Sequence, residues 1–290
     1  MKVSGFTIVR NAIKYDYPVV EAITSILPLC DEFVVAVGKS EDETLALIRS
    51  IGSDKIKIIH TIWDDSLREG GKVLADETNK AFAACATDSD WCFYIQGDEV
   101  IHEQYLPYIT KAMLRWKDNR EVEGLLFDYT HFYGSYDFTG DSRAWYSQEI
   151  RIVRKDPRIS SYKDAQGFRT EGRKLRVKPA DACVYHYGWV KPPEFQQAKQ
   201  ENFHKMWHDD NWMEKNIPKT DLFDYSKIDS LKRFTGTHPR VMQERINRKN
   251  WEFSFDPSQK KFGSLKARIL YFIQKKFGWK IGEYKNYKLI

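Results

Sequence analysis

The chain has 290 residues, of which 42% are hydrophobic and 30% charged, a composition typical of soluble globular proteins. Its formal net charge of +5 is too small to indicate a nucleic-acid-binding protein, and no apolar run approaches the about 20 residues that span a membrane. The four cysteines are scattered among apolar neighbours, which argues against a zinc site or a disulfide framework. We therefore expect a cytoplasmic protein.

Strand and helix patterns alternate along the N-terminal third of the chain. Apolar runs predict strands over 6–9, 33–37, 56–62 and 91–95, and helical periodicity predicts helices over 18–29, 40–51 and 71–86. Short connections between such elements are typical of right-handed βαβ units. The sequence thus predicts an α/β fold with a doubly wound, mostly parallel sheet.

The turn after the first strand carries no glycine. It reads Arg10-Asn11-Ala12-Ile13, whereas dinucleotide-binding and P-loop proteins have a glycine-rich phosphate loop at this position. This argues against Rossmann cofactor binding and Walker-type nucleotide hydrolysis. A metal ion is the alternative means of holding a phosphate.

The central predicted strand ends in acidic residues. The run 91–95 is almost wholly apolar, as in strands buried on both faces, and Gln96-Gly97-Asp98-Glu99 follows it. Ligands of open α/β sheets bind outside the carboxyl ends of the strands. Carboxylates at that edge suit a divalent cation that bridges to phosphates, although they could also simply end the strand and cap the next helix.

An aromatic segment follows, over residues 129–146. A helix is predicted over 104–117, and strands over 124–129, 149–154 and 183–189. Aromatic faces between polar groups suit a sugar, with packing onto the sheet as the alternative. We expect Tyr133, Tyr136 and Trp145 to contact an acceptor. His186, in the last strand, is either a hydrogen-bonded core residue or a ligand for a Mn-type cation.

The C-terminal region is predicted to be helical and basic. Helices are predicted over 195–208, from 237 and over 264–277. From Pro257 to Ile290 the chain carries nine Lys or Arg and one Glu, a net charge of +8, so the remaining residues carry −3. The amphipathic segment 264–277 either packs against the main body or meets an anionic membrane. His204 and His208 share a helix face without an acid and are expected to be packing or surface residues.

The order of these features resembles the GT-A glycosyltransferases, specifically family 2 transferases of the type that builds bacterial surface glycans. Four motifs within about 3–190 carry the resemblance: Val9-Arg10-Asn11, Ser40-Glu41-Asp42-Glu43-Thr44, Asn79 and Gln96-Gly97-Asp98-Glu99. Two positions depart from the family pattern. Gln96 replaces the first acid of Asp-x-Asp, and Val37-Gly38 stands where the family often has an acid for the nucleotide base.

The resemblance implies a GT-A core over 1–190, with a donor half at about 1–100 and an acceptor half at about 101–190, followed by a helical extension over 191–290. It implies an inverting, metal-assisted transfer of a sugar from a UDP- or GDP-sugar to a glycan or lipid-linked acceptor, in cell-surface polysaccharide biosynthesis. Mn²⁺ or Mg²⁺, held by Asp98 and His186, would stabilise the leaving diphosphate. Lys72, Lys191 and Lys199 are candidates to assist the cation in stabilising the leaving diphosphate. The predicted donor-binding residues are Val9, Arg10, Asn11, Asp42, Lys72, Asn79, Gln96, Gly97, Asp98 and Glu99.

Inverting transfer also requires a general base. We expect Asp164, in the polar loop 162–167, to serve, with Asp141 and Glu149 as further candidates. Two other functions remain open: a sugar-phosphate nucleotidyltransferase, and a non-catalytic glycan-binding protein on a degenerate GT-A fold. The expected location is cytoplasmic, with peripheral contact at the inner face of the membrane through residues 264–290 as a further expectation.

Overall fold

The computed structural model describes residues 1–67, 70–217 and 220–290. The strands are β1 Val3–Val9, β2 Glu32–Gly38, β3 Ile56–Thr61, β4 Trp91–Tyr94, β5 Glu99–Ile101, β6 Gly124–Tyr133, β7 Ser135–Gly140, β8 Gln148–Val153, β9 Ile159–Tyr162, β10 Gly167–Thr170, β11 Arg173–Lys174, β12 Arg176–Trp189, β13 Leu231–Arg233 and β14 Lys288–Leu289. The α-helices are α1 Val19–Ile26, α2 Thr44–Arg49, α3 Lys72–Ala84, α4 Leu106–Trp116, α5 Pro193–Lys205, α6 Asp210–Asn216, α7 Gln243–Asn247 and α8 Leu265–Phe277. Short 3-10 helices lie at Leu27–Leu29, Glu103–Tyr105 and Arg240–Met242.

One large mixed sheet forms the centre of the protein, in the order β13-β7-β6-β8-β4-β1-β2-β3. Strands β3, β2, β1 and β4 are parallel, as predicted for the N-terminal third of the chain. Beyond β4, strands β8, β6 and β7 run antiparallel to their neighbours, while β12 lies parallel to β6. The predicted α/β fold class, with a Rossmann-like sheet flanked by helices, is confirmed.

Apolar side chains cover both faces of the sheet, because successive strand residues point to opposite sides. In β2, Phe33 and Val35 pack on the side of α1, α2 and α4. Val34 and Ala36 pack on the other side, with the apolar face of α3. Burial on both faces explains why β1, β2 and β4 were predicted from continuous apolar runs instead of alternating patterns.

The sequence patterns did not predict β5 or the small sheet β9–β11. Strand β5 follows the acids of the central strand and pairs antiparallel with β12, which places His186 opposite Glu99. The backbone N–H of Tyr187 also donates to the Asp98 carbonyl at 2.8 Å. The pairing therefore brings the ends of two strands from different halves of the chain together at one edge of the sheet.

The aromatic segment 129–146 lies largely in β6 and β7. Tyr133 is buried in a cluster with Phe138, Tyr225 and Leu231. Tyr136 is buried in a second cluster with rings from β12. For these two residues, packing onto the sheet is the observed role.

The predicted C-terminal extension returns to the sheet. Strand β13 pairs with β7 and β14 pairs with β12, so residues after 190 share the sheet of the core. Within the described ranges, every helix is too short or too polar to cross a lipid bilayer.

Candidate active site

A cleft of about 480 Å³ opens at the carboxyl edge of the parallel strands. The ends of β1, β4 and β12 contribute to it, together with the β1–α1 loop, the β9–β10 loop and helix α5. The side chains that line it include Arg10, Trp63, Gln96, Asp98, Tyr146, Asp164, His186 and Lys199. This is the edge at which ligands bind in open α/β sheets.

Asp98 is paired with basic groups in this cleft. Its Oδ2 lies 2.9 Å from the Nζ of Lys199 and 3.7 Å from the Nε2 of His186. Burial by itself would raise the pKa of Asp98, but the Lys199 ammonium and His186 hold this pKa well below its usual range. The carboxyl group is therefore ionised at neutral pH.

Gly188 provides the space in which these groups meet. A Cβ at this position would lie 2.6 Å from Asp98 Oδ2 and 2.7 Å from His186 Nε2. The Gly188 carbonyl also accepts a 2.8 Å hydrogen bond from Lys199. Any larger residue here would displace either the acid or the imidazole.

A chain of hydrogen bonds sets the tautomer of His186. His131 Nε2 lies 2.8 Å from the Tyr146 carbonyl, which only accepts, so this nitrogen carries a hydrogen. Burial lowers the pKa of His131 to about 3; its ring is therefore neutral and its Nδ1 is an acceptor. The Nδ1 of His186 lies 3.1 Å away and donates to it. In its neutral form, His186 therefore turns the Nε2 lone pair towards Asp98.

Glu99, predicted to contact the donor, is instead a buried structural acid. Arg151 donates from Nε and Nη2 to its two oxygens at 2.7 Å each, and the Tyr129 hydroxyl donates at 2.7 Å. The side chains of the pair are 1% and 0% exposed. Arg151 also donates to the Gln166 carbonyl at 2.9 Å, so the pair connects β5 and β8 to the loop that carries Asp164.

Asp164 lines the cleft from the β9–β10 loop, as its choice as general base requires. Its neighbours Lys163 and Ala165 have φ of 55° and 60°, a left-handed backbone that turns the loop sharply. The Gln96 side chain reaches the Ala165 carbonyl at 3.4 Å. Burial raises the pKa of the Asp164 carboxyl group, which makes its carboxylate a stronger proton acceptor.

Asp141 and Glu149 lie outside the cleft, which does not support either as the general base. Asp141 accepts hydrogen bonds from Lys260, Tyr271 and Lys275. Although burial would raise the pKa of Asp141, these donors lower it to about 2. Glu149 is buried in the core, and this burial raises its pKa to about 7. Both acids are therefore held by structural contacts.

Five of the predicted donor-binding residues line the cleft: Val9, Arg10, Gln96, Gly97 and Asp98. The Arg10 guanidinium lies 5.6 Å from the centre of the Trp63 ring and pairs with Asp65 at 2.7 Å. The indole of Trp63 in turn lies against Gly38, where a Cβ would approach Nε1 to 2.4 Å. The position at which the family often has a base-binding acid is thus covered by an aromatic ring.

The other predicted donor-binding side chains do not line the cleft. Asn11 Oδ1 accepts from the Glu41 backbone N–H at 2.7 Å, and Asp42 Oδ2 accepts from the Lys14 N–H at 2.7 Å. These two bonds hold the loops after β1 and β2 together. Asn79 accepts from the Ser161 N–H at 2.7 Å. Asn11, Asp42 and Asn79 thus shape the surrounding loops. Lys72 is the first residue of α3, a helix whose Leu74 lines the cleft.

The three predicted acceptor aromatics also lie outside the cleft. Trp145 stacks on His131 with ring centroids 5.1 Å apart, and Tyr133 is buried. Tyr136 lines a separate cavity of about 490 Å³, in which Arg245 pairs with Asp16 and Glu21. Tyr146, in the aromatic segment, and Trp189 line the cleft in their place.

Sequence reasoning missed Tyr17, Trp63, Tyr146 and Trp189 as residues of the cleft. Trp63 follows the end of β3 and Trp189 ends β12, so their position at strand ends was a usable signal. Of the three candidate lysines, Lys199 lines the cleft, whereas Lys191 is fully buried and donates to the Tyr15 carbonyl at 2.6 Å. Burial lowers the pKa of Lys191 well below its usual value.

Comparisons with known proteins show a limited likeness in structure. No protein-family model matches the chain, and no curated protein matches it significantly. The chain is similar to glucosyl-3-phosphoglycerate synthase from Mycobacterium tuberculosis in complex with Mn²⁺, uridine diphosphate and phosphoglyceric acid, with 17% identity and a TM-score of 0.30 over 46% of this chain and 43% of that one. It is also similar to S. aureus TarS 1-349 in complex with UDP, with 16% identity and a TM-score of 0.43 over 70% and 64% of the two chains.

The matched part spans less than two thirds of either solved chain. At these identities and TM-scores, the likeness identifies neither a family nor an activity for this protein.

Proposed function

We propose that this protein is a glycosyltransferase that moves a sugar from a UDP- or GDP-sugar to a glycan or lipid-linked acceptor. The observation that carries the proposal is the convergence of Asp98, His186 and Lys199 at the carboxyl end of the central strand. A carboxylate, an imidazole lone pair and an ammonium group face one point of a cleft. This set suits a diphosphate accompanied by a divalent cation.

Asp98 and His186 would hold Mn²⁺ or Mg²⁺. Their facing atoms, 3.7 Å apart, both accept when His186 is neutral, and two facing acceptors favour a cation between them. No cluster of three or more His, Cys, Asp or Glu suited to a metal occurs among the described residues. Diphosphate oxygens and water would therefore complete the coordination, as is usual for Mg²⁺. When bound, the cation would stabilise the charge of the leaving diphosphate.

The remaining side chains would position and activate the substrates. The Lys199 ammonium group, which pairs with Asp98 in this structure, would turn towards the diphosphate. There it would place positive charge where negative charge develops in the transition state. The Trp63 ring would stack on the nucleobase, and the rings of Tyr146 and Trp189 would pack against sugar rings. Asp164 would take the proton of the acceptor hydroxyl. The acceptor oxygen would then attack the sugar carbon directly as the nucleoside diphosphate leaves. Such a direct displacement inverts the configuration at that carbon.

Nucleotide-sugar binding should stabilise the protein only when Asp98 is intact. In thermal unfolding with UDP-, GDP-, CDP- and dTDP-sugars, each with and without Mn²⁺, a ligand at about 100 times its dissociation constant should add about 2.7 kcal/mol. We expect such a shift for one nucleotide class with Mn²⁺, and its loss in Asp98→Asn, which removes the charge but keeps the size. Asp88→Asn, at an exposed acid paired with Lys2, is the matched control and should keep the shift.

This panel, extended to glycans and combined with assays of the released products, separates the rival functions. A shift that needs neither Mn²⁺ nor Asp98 would contradict the metal site. Stabilisation by glycans alone, without turnover of any nucleotide-sugar, would identify a binding protein. Pyrophosphate release from a nucleoside triphosphate and a sugar phosphate would identify a nucleotidyltransferase, whereas nucleoside diphosphate release with sugar transfer would support the glycosyltransferase.

His131→Phe should weaken Mn²⁺ binding by about 10- to 100-fold, the usual cost of losing a residue that orients a metal-binding histidine. Phenylalanine keeps the stacked ring but removes the acceptor for His186 Nδ1. Mn²⁺ affinity would be measured by electron paramagnetic resonance in the presence of UDP or GDP. Trp145→Phe changes a ring stacked on His131 but removes no side-chain hydrogen bond to a described residue, so this variant should keep the affinity. Equal affinities of all three proteins would show that His131 does not orient a ligand.

A further inference from the structure

Helix α8 exposes an apolar face to solvent. Leu265, Ile269 and Phe272 are 72%, 50% and 60% exposed, and their spacing of four and three residues places them on one side of the helix. Just beyond it, Trp279 and Ile281 are 63% and 52% exposed. Isolated exposed apolar side chains are normal, but a contiguous group of this kind marks an interaction surface.

The opposite face of α8 is attached to the body of the protein through polar contacts. Tyr271 and Lys275 bind Asp141. The Gln274 side chain accepts from Arg143 at 3.2 Å, and Arg143 also donates to the Ile281 carbonyl at 2.6 Å. The amphipathic helix thus turns polar groups inward and leaves apolar ones outside, which excludes the alternative that its apolar face packs on the core.

The charge around this face complements an anionic surface. Lys266, Arg268 and Lys276 are exposed and form no ion pair with an acid of the described residues. Residues 257–290 carry a net charge of +8, from nine Lys or Arg and one Glu, whereas the remaining residues carry −3. Apolar side chains flanked by basic ones are the pattern of helices that lie in a membrane interface. A second copy of the chain would instead present the same positive charge and repel.

We propose that α8 and the segment 278–281 dock on an anionic lipid bilayer, with Leu265, Ile269, Phe272 and Trp279 entering the headgroup region. Docking at this surface is independent of the activity proposed above.

The surface is connected to the cleft by the segment 141–147. Asp141 and Arg143 anchor α8, Tyr146 lines the cleft, and Ser147 donates to Glu283 at 2.5 Å. A docked α8 would therefore hold this wall of the cleft near the bilayer. If the protein is a glycosyltransferase, as proposed, its acceptor is then a lipid-linked one; this step alone rests on the proposed function.

Removal of residues 264–290 would not test the proposal cleanly. Strand β14 pairs with β12, and Asn286 and Tyr287 are buried, so the truncation would also damage the sheet. Substitutions on the exposed face avoid this difficulty.

The test is flotation of the full chain with phosphatidylcholine vesicles that contain or lack phosphatidylglycerol. The intact protein should bind the anionic vesicles, and high salt should weaken this binding. The pair Phe272→Ser/Trp279→Ser should lower affinity by at least about tenfold, because each ring loses its apolar burial. Lys266→Gln and Lys276→Gln should each lower affinity by about fivefold. Leu114→Ser, at an equally exposed position (55%) on α4, should bind like the unchanged protein.

Absence of binding by the intact protein, or equal binding by all variants, would overturn the proposal. So would a dimer in solution that the Phe272→Ser/Trp279→Ser variant abolishes, since a second copy would then cover the face. Each protein would also be measured for the nucleotide-sugar thermal shift. Vesicle binding without any such shift would contradict the proposed function and still support docking. A shift without vesicle binding would support the proposed function and contradict docking.

Discussion

Asp164→Asn is expected to lower kcat for sugar transfer by about 10²- to 10⁴-fold, the usual contribution of a general base. The amide keeps the size of the side chain but cannot accept a proton from the acceptor. Donor affinity, measured by the nucleotide-sugar thermal shift, should change little. Glu149→Gln is the matched control, because Glu149 is buried away from the cleft, and it should keep kcat within a few-fold. Loss of activity in the control with retention in Asp164→Asn would contradict the assignment.

The pH profile gives a second readout of the same residue. Burial raises the pKa of Asp164 in the folded protein, so the base becomes protonated, and kcat falls, as the pH drops through that raised pKa. The limb lies above the pH at which an ordinary aspartate titrates. It should be present in the unchanged protein and in Glu149→Gln, and absent from the residual activity of Asp164→Asn. An unchanged acidic limb in Asp164→Asn would assign the titration to another group.

Arg151→Met is expected to lower the free energy of unfolding by about 3–5 kcal/mol, the usual result of leaving a buried charge without its partner. Glu99 is 0% exposed and, among the residues that the structure describes, would keep only the hydrogen bonds from Tyr129 and the Gln96 backbone. Urea denaturation measures the change. The double variant Glu99→Leu/Arg151→Met should recover much of the loss, because a buried ion pair is often replaced by apolar side chains at little cost.

An exposed ion pair provides the control for this experiment. Arg158 pairs with Asp156 at 2.6 Å on the surface, and exposed pairs contribute little to stability. Arg158→Met should therefore unfold at nearly the same urea concentration as the unchanged protein. If Arg151→Met did so too, the buried pair of Arg151 and Glu99 would contribute no more to stability than an exposed pair does.

The sequence by itself determined the fold of the N-terminal third of the chain. Strands β1, β2 and β4 are buried on both faces, so each is a local apolar run that can be recognised without knowing its partners. Strand β3, at the edge of the sheet, is only half-buried, yet its isoleucines were enough to predict it. The carboxyl edge of these strands then followed from the alternation of strands and helices. Asp98, Arg10 and Gln96 could be placed in the cleft because they directly follow two of these runs.

Only the tertiary structure decided which other side chains join the site. Asp141, Glu149 and Asp164 all lie beyond the N-terminal third of the chain, and no local pattern distinguishes them. Asp164 alone reaches the cleft, because the unpredicted strands β9 and β10 fold its loop over the end of β4. The contact of His131 with His186 likewise joins residues 55 positions apart, through the parallel pairing of β6 with β12.

Helix α8 is a second case in which the sequence predicts an element but only the tertiary structure decides its orientation. Its amphipathic pattern could be read from the sequence, but the pattern does not state which face turns inward. Asp141 and Arg143, more than 120 residues earlier in the chain, bind the polar side of the helix and leave the apolar side in solvent. Periodicity is a property of a helix alone, whereas its orientation depends on partners that only the folded chain brings together.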